Sequence, residues 1–210
     1  MLRSIELLSG TVIVSDPCYS LGTWCQGVLN NVKAGIWAPK IEIVKMPGWG
    51  NRVSYLAATH MDYLKASDLV ETVKCKFEVG VDSGMAGIFD VRTYRNDFLI
   101  KNEVRVYDFK RFGYYWLRAC GDLALSEDHA GTLPGGVVSS SGYGDGSYTC
   151  FVKYEPQEDA DKRYPMEGDT VQFEGYEIKV NPPPREIVSI KIEFISDEEI
   201  KGEADVTNTI

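Results

Sequence analysis

The sequence predicts a mainly β protein of the α+β class, an antiparallel β-sandwich or rolled sheet carrying one or two helices. Three observations predict it. Apolar and charged residues alternate with period two in the patterned segments, as in Thr72-Val73-Lys74-Cys75-Lys76-Phe77-Glu78-Val79, the pattern of a strand with one buried face. Glycines punctuate the chain between those segments, 20 of them in 210 residues, as antiparallel connections require. No strand–helix–strand rhythm is visible, which argues against a doubly wound nucleotide fold.

The elements follow in order. Thr11–Ser15 reads as a buried strand stopped by Asp16-Pro17, because proline removes a ladder donor and fixes φ. Ala34 to Met46 interleaves Ile41, Ile43 and Met46 with Lys40, Glu42 and Lys45, and Arg52 to Leu56 alternates similarly. Thr72 to Val79 puts Val73, Cys75, Phe77 and Val79 on one face. Val137-Val138, Tyr148–Tyr154, Val171–Val180 and Ile187–Ile195 supply the other strands, the last with Ile190, Ile192 and Phe194 alternating against Lys191 and Glu193. Helix is expected within Tyr107–Leu125, where Phe109, Phe112, Tyr115, Trp116 and Ala119 recur at steps of three and four and Gly121 is a candidate C-cap. A shorter option is Met61–Leu69. Glu155 to Gly168 is polar and aperiodic with two prolines, and reads as an exposed acidic loop. Asn181-Pro182-Pro183-Pro184-Arg185 is a rigid connector. The organisation is a single β-rich domain over residues 1–195, followed by an acidic C-terminal tail over 196–210.

The composition, 44% apolar and 25% charged, is that of an ordinary globular chain. A net charge of −9 argues against binding nucleic acid, which needs a basic stripe. The charge is unevenly placed. Up to Tyr154 there are 16 Asp and Glu and 16 Lys and Arg; beyond it there are 15 against 6. That acidic end is either a solvated face or a surface that docks a basic protein partner. No stretch reaches the length of a membrane span, so no membrane partner is expected. The opening residues lack a signal-peptide pattern. Five cysteines without a Cys-x-x-Cys fit a reduced, cytoplasmic setting better than disulfides or structural zinc.

Three segments combine glycine, aspartate and aromatic residues at strand ends, where loops build sites. They are Ser15 to Tyr19, Val81 to Asp90 and Ser139 to Tyr148. The candidate ligand-binding residues are Asp16, Cys18, Tyr19, Asp82, Ser83, Gly84, Asp90, Tyr143, Asp145, Gly146 and Tyr148. Glycine lets backbone donors approach a ligand, while Tyr143 and Tyr148 offer stacking faces. A pocket for a small planar ligand is the reading; the bland alternative puts most of Trp24, Trp37, Trp49 and Trp116 in the core. Asp16, Asp82, Asp90 and Asp145, if they converge, would suit a hard divalent cation, although no cofactor is required. The alternative is that each Asp accepts the N–H groups of its own turn. A hydrolase would draw on Asp82, Asp145 and a metal, or on Cys18 as nucleophile with His60 as base.

Taken together, Asp16-Pro17-Cys18-Tyr19, the central Val81-Asp82-Ser83-Gly84 with Gly87-Ile88-Phe89-Asp90, and Ser141-Gly142-Tyr143-Gly144-Asp145-Gly146-Ser147-Tyr148 resemble an uncharacterised family of bacterial and phage proteins. The resemblance spans Thr11 to Val152. It implies a β-rich cytoplasmic accessory protein, of a kind carried by phages and active in the host cytoplasm. It brings no established activity. The expected function is therefore binding of a small ligand or a host-defence partner through the strand-end loops, with the metal- or Cys-dependent hydrolase as the alternative.

Overall fold

The computed structural model of the chain describes residues 2–65, 72–100, 113–163, 170–173, 176–179 and 184–207. In chain order the first elements are β1 (Ile5–Leu7), β2 (Thr11–Ser15), β3 (Gly27–Asn30), β4 (Gly35–Met46), β5 (Gly50–His60), β6 (Thr72–Val81) and β7 (Met85–Asp90). Then come α1 (Tyr114–Ala124), β8 (Ala130–Leu133), β9 (Gly136–Ser140), β10 (Gly146–Tyr154), α2 (Gln157–Arg163), β11 (Thr170–Phe173), β12 (Tyr176–Lys179), β13 (Ile187–Glu193) and α3 (Asp197–Thr207).

Three layers result. A six-stranded antiparallel sheet, in the order β1-β4-β5-β13-β10-β6, lies against a five-stranded antiparallel sheet, β3-β2-β7-β9-β8. Period two decides which side chains meet between them. Val12, Val14, Ile88 and Val137 from the smaller sheet join Leu56, Ile190, Ile192 and Val152 from the larger in the main core. The alternate residues Ile13, Phe89 and Val138 point the other way, into a second cluster with Tyr94, Trp116 and Cys120 beneath α1. This double burial explains why Thr11–Ser15 is apolar throughout rather than alternating. The edge strand β6 keeps its alternation, with Val73, Cys75 and Phe77 half-buried and Lys74, Lys76 and Glu78 exposed.

Several sequence expectations need correction. Val171–Val180 is not one strand but two, β11 and β12, paired in a separate two-stranded sheet. The expected loop at 155–168 contains α2, and Glu155 and Ala160 are fully buried. Pro156 opens that helix, its carbonyl accepting from the Asp159 N–H at 3.1 Å, a position where the missing proline donor costs nothing. Residues 164–168 lie outside the described residues. The expected tail is a helix as well. Ser196 and Glu199 form a capping box: the Glu199 N–H donates to Ser196 Oγ at 3.3 Å, and Ser196 N–H donates to the Glu199 carboxylate at 2.8 Å. Asp197, Glu198 and Glu199 in the first turn suit the helix dipole, and Ile200 packs on the core.

The main helix is shorter than expected. Gly113, at φ +85°, sets its start, and Gly121 lies inside it rather than capping it, since Leu125 closes the last turn. Residues 107–112 lie outside the described residues. Of the Met61–Leu69 option, Met61–Tyr63 forms a single 3-10 turn, and 66–69 lie outside the described residues. Among the described residues no helix is long and apolar enough to cross a membrane.

Candidate functional site

The chain leaves β2 at Asp16, whose side chain is completely buried. Its carboxylate accepts the Cys18 N–H at 2.7 Å within its own turn, as an Asx turn does. The same group also accepts the N–H of Asp82 at 2.8 Å, the N–H of Ser83 at 2.7 Å and the Ser83 hydroxyl at 2.6 Å. A buried carboxylate is tolerable only when its oxygens are filled in this way. Asp16 thus ties the β2–β3 loop to the β6–β7 turn. The β9–β10 loop joins them, because Asp145 accepts the Gly84 N–H at 3.1 Å and Gly84 C=O accepts the Ser141 N–H at 3.0 Å. The three glycine–aspartate segments therefore converge at one end of the sandwich.

The β2–β3 loop is stiff. Arg95 donates to the carbonyls of Pro17 and Cys18 at 3.0 and 2.8 Å. The Tyr94 hydroxyl donates to the Tyr19 carbonyl at 2.8 Å. The buried Gln26 side chain accepts the N–H groups of Gly22 and Thr23 at 2.9 and 3.0 Å while donating to Ser15 and Tyr94. On this braced loop Trp24 stands 94% exposed. Beside it opens a cleft of about 630 Å³ lined by Tyr19, Trp24, Lys76, Phe77, Glu78, Asp82 and Ser147. The Phe77 ring packs against Gly27, where any Cβ would overlap it, so the ring's position depends on this glycine. A hydrogen bond from the Tyr19 hydroxyl to the Asp82 carboxylate holds the phenol protonated well above its ordinary range, and the Cys25 thiol adds to the effect.

The structure divides the predicted site residues. Tyr19, Asp82 and Gly146 line the cleft; Asp16, Cys18, Ser83, Gly84 and Asp145 form the clamp beside it. Asp90 is elsewhere, at the far end of β7, where it accepts the N–H groups of Leu8 at 2.6 Å, Ser9 at 2.8 Å and Arg92 at 2.9 Å. Tyr148 offers no stacking face: its ring meets Phe194 in the core at 5.1 Å, and its hydroxyl donates to the Gly144 carbonyl at 2.7 Å, bracing the glycine loop. Tyr143 stacks edge-on with Trp49, ring centroids 5.1 Å apart, which brings the tip of the β4–β5 hairpin to the same end. The four aspartates thus do not form one cation cage, and among the described residues no three His, Cys, Asp or Glu side chains group as metal ligands would.

Cys18 and His60 are also separated. His60 ends β5, whose other end, Gly50, borders the Trp49 hairpin, and eleven strand residues span roughly 35 Å. Its ring is held by the Asp62 N–H and the Ala34 carbonyl, both at 3.3 Å, and lies against Trp37 and Tyr63. Burial, with the Asp16 hydrogen bond behind it, pushes the Cys18 thiol up to about 12, away from the thiolate a nucleophile needs.

Comparison of the chain with protein-family models, curated proteins and solved structures finds no match.

Sequence reasoning missed one cleft residue and one anchor. Phe77 reads as a core position on β6 but lines the cleft; of the four tryptophans offered for either pocket or core, Trp37 and Trp116 are buried, Trp24 stands out in solvent and Trp49 is half exposed. For Trp24 the flanking Gly22 and Gly27 were the available signal, since a tryptophan between glycines has no strand or helix period to bury it. Asp97, buried beneath α1, has no local motif at all.

Proposed function

We propose that the protein is a binding module rather than a turnover enzyme, taking a small planar ligand in the cleft beside Trp24. The observation that carries this is the exposed indole on a braced loop. A large apolar ring held out in water by a stiff scaffold forgoes its own burial, and a ligand that covers it recovers that burial without ordering the loop. Trp24 and Phe77 offer ring faces, while the Asp82 and Glu78 carboxylates favour a ligand that presents hydrogen-bond donors. The motif resemblance supports an accessory role in a bacterial or phage-infected cytoplasm, where such a ligand or a host-defence partner would be met.

Two observations weigh against the hydrolase alternative. Cys18 is a poor thiolate source, and His60, its candidate base, is held at the far end of β5 against Trp37 and Tyr63. A basic protein partner at the acidic region beyond Tyr154 would meet the acidic first turns of α2 and α3.

The test is a thermal-melting and tryptophan-fluorescence titration with uncharged nucleosides and with Mg²⁺ and Ca²⁺. A planar ligand should raise the melting temperature and shift the emission, since ligands that bind only the folded state stabilise it. Trp24→Ala should lose both responses while moving the unliganded melting temperature by no more than ~2 °C. An unaltered response in Trp24→Ala, or none in the natural protein, overturns the reading. A cation shift abolished by Asp145→Ala would instead favour the metal-dependent hydrolase.

A further inference from the structure

The outer face of the six-stranded sheet carries a second, chemically opposite site, whose lining is set by strand register. Lys40, Ala57, Lys191, Phe151 and Lys74 are successive cross-strand partners along β4, β5, β13, β10 and β6. The neighbouring row is Ala38, Thr59, Ser189, Lys153 and Thr72. Their alternates, among them Leu56, Ala58, Ile190, Ile192 and Val152, are core residues, so both rows face outward. The small side chains of Ala57, Thr59 and Ser189, set among the longer Lys40, Tyr55, Phe151, Lys153 and Lys191, leave a trough of about 490 Å³.

Its floor is Ala57 with the Thr59 and Ser189 hydroxyls, which hydrogen-bond each other at 3.0 Å. Tyr55 and Phe151 supply aromatic surface. The Lys191 ammonium lies 4.9 Å from the Tyr55 ring centroid and 5.8 Å from that of Phe151, and pairs with Glu193 at 2.7 Å. Lys40 sits 5.7 Å above the Tyr55 ring. Lys153, on the same face, borders both this trough and an adjoining hollow of about 460 Å³ beside Tyr63. Three ammonium groups against one carboxylate reverse the local sign in a chain whose net charge is −9. Such a reversal in a concave surface concentrates anions.

We propose that this trough binds a planar phosphorylated small molecule of the nucleotide class. Its ring would lie against Tyr55 and Phe151, its hydroxyls over Thr59 and Ser189, and its phosphates on Lys40 and Lys153. The volume is that of a small-ligand pocket. A long polyanion is disfavoured, because the rest of the acidic surface repels a continuous phosphate backbone.

The experiment is calorimetric titration of the full chain with ATP, adenosine, inorganic tripolyphosphate and a 12-nucleotide single strand. ATP should bind, with adenosine and tripolyphosphate each at least about tenfold weaker. Lys153→Ala and Lys40→Ala should each weaken ATP by about tenfold, the loss of one charge-assisted phosphate contact, and leave the unliganded melting temperature unchanged. Trp24→Ala should bind ATP as the natural protein does, which separates this site from the cleft. Absence of ATP binding at millimolar concentration overturns the proposal. So does unchanged affinity in Lys153→Ala, tripolyphosphate binding as tightly as ATP, or tighter binding of the oligonucleotide.

Discussion

Asp16, Asp90, Asp97 and Glu155 are buried acids that hold backbone N–H groups from segments distant in sequence. Asp16 reaches 66 and 67 residues ahead, Asp90 reaches back 81 and 82, Asp97 reaches 16 and 19, and Glu155 takes the Glu186 N–H 31 residues on. Each pins a connection to a distant part of the fold, and leaving such donors unmatched costs more than the bonds contribute. The thiols show the same control by environment. The hydrogen bond from Cys150 lowers the Cys75 thiol, whereas burial pushes Cys18 up to about 12. Alkylation with iodoacetamide at pH 8, followed by peptide mass mapping, should therefore label Cys75 before Cys18; the opposite order would restore Cys18 as a nucleophile. At this scale the sequence was half legible. Aspartate close to proline or glycine marked Asp16, Asp82 and Asp145 as loop-builders, but the partners that Asp16 and Asp145 hold across the fold leave no local trace.

Elements were legible in proportion to length and one-sidedness. The strands β4, β5, β6 and β13 run 7 to 12 residues with one wet face, and the period showed them. The strands β1, β3 and β8 have only 3 or 4 residues and offer no countable period. The strand β7 was hidden within the glycine-rich central motif, its residues buried on both faces between the core and α1. The capping box of α3 was readable as Ser196-x-x-Glu199, yet the acidic composition obscured it. Helix α1 has no local cap. Asp97 accepts the N–H groups of Gly113 and Trp116, both at 2.8 Å, and so caps the helix from outside. Asp97→Ala should lower unfolding free energy by about 2–3 kcal/mol in urea denaturation. Asp97→Asn, which keeps one acceptor, should lose less. Equal stability of all three proteins would remove the cap from the account.

For the molecule as a whole, two hydrogen-bonded acids, Asp90 and Asp159, predict how stability follows pH. Burial pushes the Asp90 carboxyl up, and the N–H groups of Arg92, Leu8 and Ser9 outweigh it, leaving the group below the usual carboxylate range. Asp159 is held low chiefly by the Tyr63 hydroxyl. A carboxylate depressed in the folded state adds stability that is complete above its unfolded value, about 4. That stability is lost as pH falls through the folded value. The melting temperature should therefore drop on acidification below about pH 4, and Asp90→Asn should flatten that drop; an unchanged acid limb in the variant would contradict the assignment. The whole-chain charge also takes a different form from the one the sequence suggested. The stretch beyond Tyr154 is not wholly peripheral, because it supplies β13, a central strand between β5 and β10. That placement has a consequence for synthesis. Ser189 meets Thr59 across 130 residues, so a nascent chain carries β5 and β10 with unsatisfied edges until β13 has left the ribosome. Formation of the larger sheet is then a late, long-range event. Any product cut short before Ile187 would present two open edges to the next copy, as an invitation to intermolecular strand exchange.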